Sequence, residues 1–600
     1  MIENVGVSIR CRSKLKRYGV TAALLLGIPL VLTFVRGDWV YTNIYMPPWF
    51  DPFIYQAIFH HPAASITNHQ EYYPSTRLPW ILWGAFFYWL FSPLIANLLL
   101  KMSVYLLTTT VLFAALVQVG TWSTALLSVV IFATYPYFIM SAGWDFVDSP
   151  ANAFIALTYL GLALAARPKT HVVGHFLAGF GFASAVICNL YAVVLGPSLL
   201  IFAIAAAFQS GRLKPSFGVR ALSSVFLGVL VCFLSFSIAS WGLGGSIYLL
   251  ASQFHQAAGL ILDKTGPNAG FRGEAWNRFI PNATWLALPT STAIACIFCA
   301  FWALGSIKEV VSKPKHIFVV LVSVHFLLVY LLFWLIDILS VAVLALWFYS
   351  GFLNVSTILT IGCLLQYCFE RPARWFGKSA ENVWLFAVVV MAFVLVVPYY
   401  PPIGLYVQRV LGIQFGSVTL LLAGSLTSAG LGITFLAAKI RSRSALIVGS
   451  VVLSLGYLSM LNQYQLSNTY ARNRRPGFLA VEAAVTDIES KSDDPNRYVW
   501  VERKDPDYGG NIFHAIWIRS LMSSKDWDIG FDGSTSFPAI PLHGFISNQS
   551  VIIVTKDMNW EMEADAALDG IGFRLQVRGV DQIAYDDIDF KVISAVIQRE

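Results

Sequence analysis

The amino-acid sequence predicts a polytopic α-helical membrane protein with a small soluble α/β domain at its C-terminal end. Of its 600 residues 57% are hydrophobic and 12% are charged, a balance that no single water-soluble core of this length accounts for. Apolar runs of about 17 to 25 residues recur along the chain, which is the length needed to cross the hydrocarbon core of a bilayer as a helix. No long stretch alternates with the period of two that a membrane β-barrel requires.

About thirteen of these runs qualify as membrane-spanning helices. They cover residues 19–35, 93–118, 122–142, 150–166, 171–188, 190–208, 220–241, 285–305, 317–336, 346–366, 383–397, 416–438 and 445–461. The shorter aromatic stretch 79–93, PWILWGAFFYWLFSP, is predicted to lie in the membrane interface. Counting it as a crossing would invert every later loop and place the later basic clusters outside.

The basic residues between the runs predict the orientation of the chain. With the spans above, clusters such as 10–17, 212–220 and 439–443 face the cytoplasm, as positively charged loops usually do. The N-terminus is then cytoplasmic, and a bacterial inner membrane is the expected location. One basic stretch, 470–476, falls on the outer side against this rule. The outer face, which holds nearly all the loop carboxylates, carries the loops 36–92, 143–150 and 242–284 and everything after residue 461.

The composition also excludes several classes of protein. The net charge of +7 comes from basic residues spread in small groups, so no face suited to nucleic acid is predicted. The seven cysteines lie mainly within apolar runs, a placement typical of packing residues and not of disulfides or a zinc site. Because the sequence has no glycine-rich phosphate loop, neither a nucleotide nor a redox cofactor is expected.

A change of composition divides the chain into a transmembrane domain, residues 1–461, and a soluble domain, residues 462–600. In the second part charged residues become frequent. The strand-like runs RYVWVE and SVIIVTK alternate there with the helix-like runs GFLAVEAAVTDIES and NWEMEADAALDG. This alternation predicts a small α/β fold on the outer face.

The first outer loop is rich in ionisable and aromatic side chains. The candidates are Asp38, Asp51, His60, His61, Glu71, Tyr72 and Arg77. Asp51 precedes Pro52, so its carboxylate is either a helix cap or a chemically active group. The histidine pair either belongs to a site or consists of polar residues of the interface. Arg77 adjoins an apolar stretch, where a guanidinium is costly unless it faces a carboxylate or an anion such as a lipid phosphate.

Two further outer loops and one helix add charged residues. Asp145 and Asp148 are three apart at another helix mouth, and with an acid of the first loop they would bind a divalent cation or position an attacking hydroxyl. A plain helix cap is the alternative for Asp148. The loop 242–284 carries basic residues among glycines, which suits either a mobile cover over an anionic ligand or an ordinary loop. Lys101 is expected to extend outward along its helix, to the same site or to water.

These motifs resemble the GT-C superfamily of integral-membrane glycosyltransferases. The resembling features are WFDPFIYQA (49–57), EYYPSTRLPW (71–80), WDFVDSP (144–150) and the soluble C-terminal domain on the outer face. Bacterial relatives of protein O-mannosyltransferases and the aminoarabinose transferase of lipid A are similar in organisation. The motifs cover about the first quarter of the chain, and the remainder is similar in architecture only.

The resemblance implies an inverting membrane glycosyltransferase that moves a sugar from a polyprenyl-phosphate donor to a glycan, lipid or protein acceptor on the outer face. Asp51 would match the acidic residue of the family's first loop, as general base or metal ligand. Asp38 lies nearer to the first helix, where that acid is usual, so both stay candidates. Asp145 or Asp148 would match the acid of the second loop.

The same resemblance implies a donor site and leaves the metal open. The residues expected at the donor phosphate and sugar are His60, His61, Glu71, Tyr72, Arg77, Arg272 and Arg278. A divalent cation, Mg²⁺ or Mn²⁺, is compatible with the acidic set Asp51, Asp145 and Asp148.

A transporter or flippase of a lipid-linked or anionic sugar is the competing class. Such proteins usually carry ionisable residues in the middle of the membrane or helices broken at matching positions, and the sequence pattern predicts neither. A lipid-linked polymerase or ligase would differ mainly in its acceptor. A non-catalytic assembly subunit whose outer domain recruits partners is the remaining alternative.

Overall fold

A computed structural model gives the fold of the chain over defined segments. The described residues are 17–30, 51–69, 72–143, 147–167, 169–210, 215–262, 287–305, 307–339, 351–369, 474–491, 497–503, 512–523, 531–534, 536–537, 544–557, 559–585 and 588–600. The expected spans 383–397, 416–438 and 445–461 lie outside these residues. The domain boundary predicted at residue 461 lies outside them as well.

The part of the chain before residue 370 is a bundle of apolar helices. In chain order they are α1 (Arg17–Leu30), α2 (Asp51–His60), α3 (Pro62–Asn68), a 3₁₀ helix (Tyr73–Thr76), α4 (Leu78–Leu90), α5 (Pro93–Val119), α6 (Trp122–Ala133), α7 (Pro136–Ala142), α8 (Asp148–Ala165), α9 (His171–Cys188), a second 3₁₀ helix (Leu190–Leu195), α10 (Gly196–Ser210), α11 (Pro215–Gly242), α12 (Ala251–Leu262), α13 (Ala287–Gly305), α14 (Ile307–Val311), α15 (Pro314–Leu339) and α16 (Leu353–Phe369). Each expected span before residue 370 overlaps a helix of this bundle.

Several of these helices have the length and composition of membrane spans. Within the described segments six helices are long and apolar enough to cross a membrane. They are Pro93–Val119, His171–Cys188, Leu190–Phe208, Gly218–Gly242, Leu288–Gly305 and Pro314–Ile336. The predicted fold class, a polytopic helical membrane protein, is confirmed, whereas the total of about thirteen spans is not. With 13 residues α4 is about 20 Å long, too short for the roughly 30 Å hydrocarbon core, as predicted for an interfacial helix.

The expected span 122–142 is two helices and not one. α6 ends at Ala133, and α7 begins at Pro136. Proline lacks the N–H that a continuous helix needs, and the residue before it, Tyr135, adopts an extended conformation. The second break, at the 3₁₀ helix Leu190–Leu195, follows Asn189, whose side chain accepts a hydrogen bond from the amide of Tyr191 at 3.1 Å.

Helices α8 and α9 pack with their backbones in close approach. A Cβ atom on Gly161 would lie 2.4 Å from the amide nitrogen of Ala178, and one on Gly174 would lie 2.4 Å from that of Ala165. Only glycine fits at these two positions. Close approach of this kind is how helices associate inside a bilayer, where lipid and side chains are equally apolar.

The helix ends alternate between the two ends of the bundle. At one end Gln366 of α16 accepts hydrogen bonds from the Thr121 amide at 2.8 Å and the Thr124 hydroxyl at 2.9 Å. Trp122 at the same end donates to the Thr21 hydroxyl of α1 at 3.0 Å. The described parts of two predicted outer loops, α2 to α4 and α12, meet at the other end, where Gln253 donates to Thr76. This arrangement agrees with alternate crossing, and the compartment faced by each end stays a prediction.

The C-terminal domain is a five-stranded sheet with helices on both faces. Its elements are α17 (Arg474–Ser490), β1 (Tyr498–Val501), α18 (Ile512–Ser523), β2 (Phe531–Asp532), β3 (Gln549–Thr555), α19 (Trp560–Asp569), β4 (Phe573–Tyr585) and β5 (Ile588–Arg599). The strand order is β2, β1, β3, β5, β4, with β1 parallel to β2 and β3 and the remaining pairs antiparallel. The predicted small α/β fold is confirmed.

The register of β1 explains why its sequence is apolar throughout. Val499 and Val501 face the core formed with α17 and α18, whereas Tyr498 and Trp500 face the core formed with α19. Side chains of a strand point alternately to the two faces, so a strand covered on both sides is hydrophobic at every position. The run RYVWVE therefore belongs to a sheet that is buried on both faces.

Candidate functional site

The first outer loop folds into short helices that lead into α4. α2 begins at Asp51, and Pro52 occupies its first turn, where a missing N–H costs nothing. Pro62 begins α3, and Pro79 lies in the first turn of α4. Phe59 of α2 is buried in the core of the helical bundle. The spacing of the prolines therefore divides the loop into pieces that pack over one end of the bundle.

Arg77 lies between the first 3₁₀ helix and α4 and is only 6% exposed. Its Nη1 donates a hydrogen bond to the hydroxyl of Tyr55 on α2. Its guanidinium carbon lies 4.5 Å from the centre of the Tyr73 ring. Two aromatic side chains from separate elements thus fix the plane of the guanidinium, and a fixed planar fork is what arginine uses to bind phosphate or carboxylate.

The turn before Arg77 is held by a hydrogen-bond bridge from α12. Gln253 is 4% exposed, and its Nε2 donates to the Thr76 hydroxyl at 3.0 Å and to the carbonyl of Ile187 at 2.9 Å. The Thr76 hydroxyl donates in turn to the carbonyl of Tyr73 at 2.8 Å. The position of Arg77 therefore depends on α12 and on the C-terminal end of α9.

Lys101 is a second buried cation. It is fully buried on α5, about 12 Å along the helix axis from the first residue of that helix. Its Nζ lies 5.9 Å from the centre of the Trp80 ring, and Trp80 packs edge-on against Phe59 at 5.3 Å. Of the two positions expected for Lys101, its complete burial excludes water, and the attraction of its ammonium group to Asp148 agrees with the other, the predicted site.

Asp148, the first residue of α8, is fully buried as well. Its carboxylate is attracted by Lys101, and the Ser141 hydroxyl and the first amides of α8 lie near it. Neither carboxylate oxygen has a hydrogen bond of normal length and angle within the described residues. The expectation that Asp148 faces outward is therefore wrong. The N-cap position of α8 is Val147, so the alternative that Asp148 caps the helix is not what the structure shows either.

Arg77, Lys101 and Asp148 are three buried ionisable side chains at one end of the bundle. Lys101 contacts the Trp80 ring and attracts the Asp148 carboxylate. Arg77 joins this region through the main chain, since its carbonyl accepts a hydrogen bond from the Trp80 amide at 3.0 Å. The sequence predicts that an acid of the second outer loop meets an acid of the first, and this stays a prediction because the side chain of Asp51 lies outside the described residues.

Some predicted site residues lie outside the described part of the chain. They are Asp38, Glu71, Asp145, Arg272 and Arg278, together with the side chain of Asp51. Tyr72 is described: it precedes the 3₁₀ helix, and its ring packs against that of Tyr73 at 5.5 Å. The roles predicted for these residues stay predictions.

His60 and His61 face the C-terminal domain. His60 Nε2 lies 3.4 Å from Oε2 of Glu482 on α17, and His61 Nε2 lies 3.8 Å from Oε1 of Glu489 on the same helix. Arg519 of α18 donates from Nη2 to Oε1 of Glu482 at 3.0 Å. The histidine pair thus lies at the contact between α2 and the soluble domain.

Burial and charge decide the ionisation of this interdomain cluster. Burial, and then the Arg519 guanidinium, lowers the pKa of His60 below its usual 6.5. Burial alone would raise the pKa of Glu482, but Arg519 with the help of His60 outweighs it and lowers this pKa to about 2. Near neutral pH the cluster therefore pairs an ionised Glu482 with Arg519 beside a neutral His60.

The described side chains test the predicted divalent cation at one ligand only. No group of three or more His, Cys, Asp or Glu with the spacing of metal ligands occurs in the described segments. Asp148 is the one predicted ligand whose side chain is described, and the ammonium group of Lys101 attracts it. A cationic neighbour opposes metal binding at this residue, whereas Asp145 and the side chain of Asp51 lie outside the described residues.

Sequence reasoning missed three parts of the site. Lys101 interrupts an otherwise apolar helix, and an ionisable residue within such a helix is itself a sign of function. Tyr55 and Gln253 gave no such sign, because each lies in a short helix among other polar or aromatic residues. Their partners come from other elements, so only the fold identifies them.

Comparisons with known proteins give a likeness of shape. No protein-family model and no curated protein matches the sequence. Two solved structures of ArnT from Cupriavidus metallidurans are similar, one bound to undecaprenyl phosphate and one in the apo state. Their TM-scores are both 0.44, with 12% and 14% sequence identity over 96% of this chain and 97% of those chains. At this degree of likeness the function has to be inferred from the residues of the site itself.

Proposed function

We propose that the protein is a membrane glycosyltransferase that moves a sugar from a polyprenyl-phosphate donor to an acceptor hydroxyl. The observation that carries this proposal is the burial of three ionisable side chains, Arg77, Lys101 and Asp148, in an apolar bundle. Ionisable residues are costly there and mark functional sites. The resemblance of the loop motifs to the GT-C superfamily adds the reaction class.

Arg77 is the proposed partner of the donor phosphate. Its guanidinium is fixed by Tyr55 and Tyr73, so little side-chain freedom is lost when an anion binds. A planar guanidinium binds two phosphate oxygens at once, with charge-assisted hydrogen bonds. Lys101, on the next helix α5, adds positive potential at the phosphate without having to contact it. Together the two cations would stabilise the phosphate as it leaves the sugar.

Asp51 is the proposed general base, with Asp38 as the alternative. The hydroxyl oxygen of the acceptor attacks the anomeric carbon of the sugar and forms the new glycosidic bond. The bond from that carbon to the phosphate oxygen breaks, and polyprenyl phosphate leaves with the electron pair. The hydroxyl proton passes to the carboxylate, and attack from the side opposite the phosphate inverts the anomeric configuration. Asp145 is the proposed acid of the second loop.

The orientation and the acceptor belong to the same proposal. The site would lie at the outer, periplasmic face of a bacterial inner membrane, with the N-terminus in the cytoplasm. The acceptor would be a glycan, a lipid or a protein. Glu71, Tyr72, Arg272 and Arg278 would line the donor side, whereas His60 and His61 contact the C-terminal domain. A requirement for Mg²⁺ or Mn²⁺ would be seen as loss of transfer on chelation.

The test is transfer of radiolabelled sugar from a panel of polyprenyl-phosphate-linked sugars by the full-length protein in nanodiscs. Wild-type protein should form labelled product, and Asp51→Asn should abolish it. Arg77→Gln should raise the donor KM about tenfold or more, because a charge-assisted hydrogen bond to phosphate is lost. The exposed Arg220→Gln is the matched control. Full transfer by both Asp51→Asn and Asp38→Asn would refute the assignment of the base.

A transporter or flippase is the second candidate, and two observations favour it. Lys101 and Asp148 are buried within the bundle, and the chain breaks between α6 and α7 at Pro136. Both features are common at the substrate sites of transporters. Liposomes containing the protein separate the two functions. Movement of the lipid-linked sugar across the bilayer without any new glycosidic bond would favour the transporter.

A further inference from the structure

Helix α2 is shared by two hydrophobic cores. Its Phe53 is 1% exposed and belongs to the core of the C-terminal domain, with Val481 and Ile516 among its neighbours. Tyr55 and Phe59 of the same helix belong to the core of the helical bundle. α2 therefore occupies its position only when both cores are assembled.

Polar contacts reinforce this junction. Glu482 of the C-terminal domain holds Arg519 at 3.0 Å and lies 3.4 Å from His60 of α2. Ser65 of α3 donates to the carbonyl of Met522 at 2.9 Å in a buried hydrogen bond. Glu482 and Arg519 form a largely buried charged pair, so losing one partner leaves the other charge uncompensated.

The junction continues from α2 into the helix that carries Lys101. The His60 ring packs edge-on against Tyr88 of α4 at 4.6 Å. The Tyr88 hydroxyl accepts a hydrogen bond from Asn97 of α5 at 3.2 Å. Asn97 precedes Lys101 by four residues and therefore lies on the same face of α5. A continuous path of contacts thus joins Glu482 to the face of α5 that bears the buried cation.

We propose that the C-terminal domain is a positioning element of the site, acting through Glu482 and His60 on α2 and on the Lys101 face of α5. The functional half of this inference rests on the proposed glycosyl transfer. α2 begins at Asp51 and carries Tyr55, the partner of Arg77, so its position governs both the proposed base and the phosphate site. Glu482 touches neither, and it acts through His60.

The experiment compares Glu482→Gln with Asp487→Asn in the full-length protein in nanodiscs. Both substitutions remove a carboxylate from α17, but Asp487 pairs with Lys491 and not with α2. Hydrogen exchange of the peptides covering residues 51–69 should rise about fivefold or more in Glu482→Gln and stay unchanged in Asp487→Asn. Unchanged exchange within β3 shows that the C-terminal domain remains folded.

Transfer kinetics supply the second readout. Glu482→Gln should lower kcat about tenfold with a smaller change in the donor KM, because a misplaced group weakens the transition state more than the ground state. Arg519→Lys keeps a cation beside Glu482 and should retain most of the wild-type kcat, whereas Arg519→Met should lower kcat about as much as Glu482→Gln does.

The outcomes separate this inference from the proposed function. Unchanged exchange over residues 51–69 in Glu482→Gln would overturn the inference, and so would raised exchange with wild-type kcat. If the wild-type protein transfers no sugar, the proposed function fails, and the exchange measurement alone decides whether the C-terminal domain holds α2.

Discussion

Two buried groups of charges in this molecule are held in opposite ways. At the interdomain junction Glu482 has a hydrogen bond from Arg519 at 3.0 Å and a neighbouring His60 at 3.4 Å. In the helical bundle Asp148 is attracted by Lys101, but its carboxylate oxygens have no hydrogen bond of normal geometry within the described residues. The Glu482 carboxylate is thus hydrogen-bonded to its cation, as in ion pairs that stabilise folded proteins. The Asp148 carboxylate has no such bond within the described residues.

The difference indicates what each group is for. Buried charges cost desolvation energy, which good hydrogen-bond geometry offsets. At the junction the Glu482 carboxylate meets this condition through its hydrogen bond from Arg519, as expected for a cluster that holds two parts of the fold together. Charges that stay buried under poorer geometry are typical of sites that bind or transform a ligand. The comparison therefore predicts that the junction is structural and that Lys101 and Asp148 belong to the proposed site.

The largest expected effect follows from breaking the pair in the bundle. Lys101→Met leaves the Asp148 charge buried without its cation and should destabilise the protein by about 3 kcal/mol. The double variant Lys101→Met, Asp148→Asn should recover most of this stability while transfer stays reduced by about a hundredfold or more. Thermal unfolding followed by tryptophan fluorescence gives the stability, and sugar transfer gives the activity.

The double variant decides whether the Lys101 and Asp148 pair is structural or functional. If it regains stability and activity together, the Lys101 and Asp148 pair is structural, and the contrast with the junction disappears. Thr110→Val on the same helix is a suitable control, because the Thr110 side chain is exposed and bonds only to the carbonyls of its own helix.

A smaller effect is expected from pH at the junction. The folded-state pKa of His60 is lowered, so the unfolded chain binds more protons just below 6.5. The contribution of His60 to stability is therefore full above that pH and is lost over the range in which the pH falls below it. Glu482, with a pKa of about 2, stays ionised over this range and adds nothing to the slope.

The melting temperature measured across this range checks the prediction. His60→Gln should flatten the decline on acidification, whereas the exposed His255→Gln should leave it as in the wild type. An identical slope in His60→Gln would mean that other groups dominate the acid response.

The smallest effect is expected from a charge pair at the surface of the same domain. Lys491 contacts Asp581, whose side chain is 57% exposed. Asp581→Asn should change the free energy of unfolding by less than about 0.5 kcal/mol, and added salt should remove the difference. If Asp581→Asn lowered the free energy of unfolding as much as Glu482→Gln does, exposure would not distinguish the Lys491–Asp581 pair from the Glu482–Arg519 pair.

Much of the fold could be predicted from local patterns. The membrane class follows from the length of the apolar runs. Strand β1 follows from the central residues YVWV of the run RYVWVE, because a strand covered on both faces is apolar or aromatic at every position. The break at Pro136 could also have been predicted, since proline cannot continue a helix. The sequence reading missed it because hydropathy alone runs unbroken from residue 122 to residue 142.

The site could be predicted only in part, because its contacts join distant segments. The pattern placed Arg77 and Asp148 in two outer loops, and the structure brings these residues to the same end of the bundle. The pattern left open whether Lys101 reaches the site or water, since its burial near Asp148 depends on a residue 47 positions further along the chain. Nor did it assign His60 to Glu482, whose partners are set by the packing of α17 on α2.

The sharing of α2 has a consequence for biosynthesis. Ser65 and Met522 are 457 residues apart in sequence, yet they are hydrogen-bonded in the finished protein. While ribosomes are still making the later helices, the first loop has no C-terminal partner to dock against. In a nascent chain, or in one truncated before α17, α3 would therefore lack its contact with α18, and the first loop would reach its final position only after the C-terminal domain has folded.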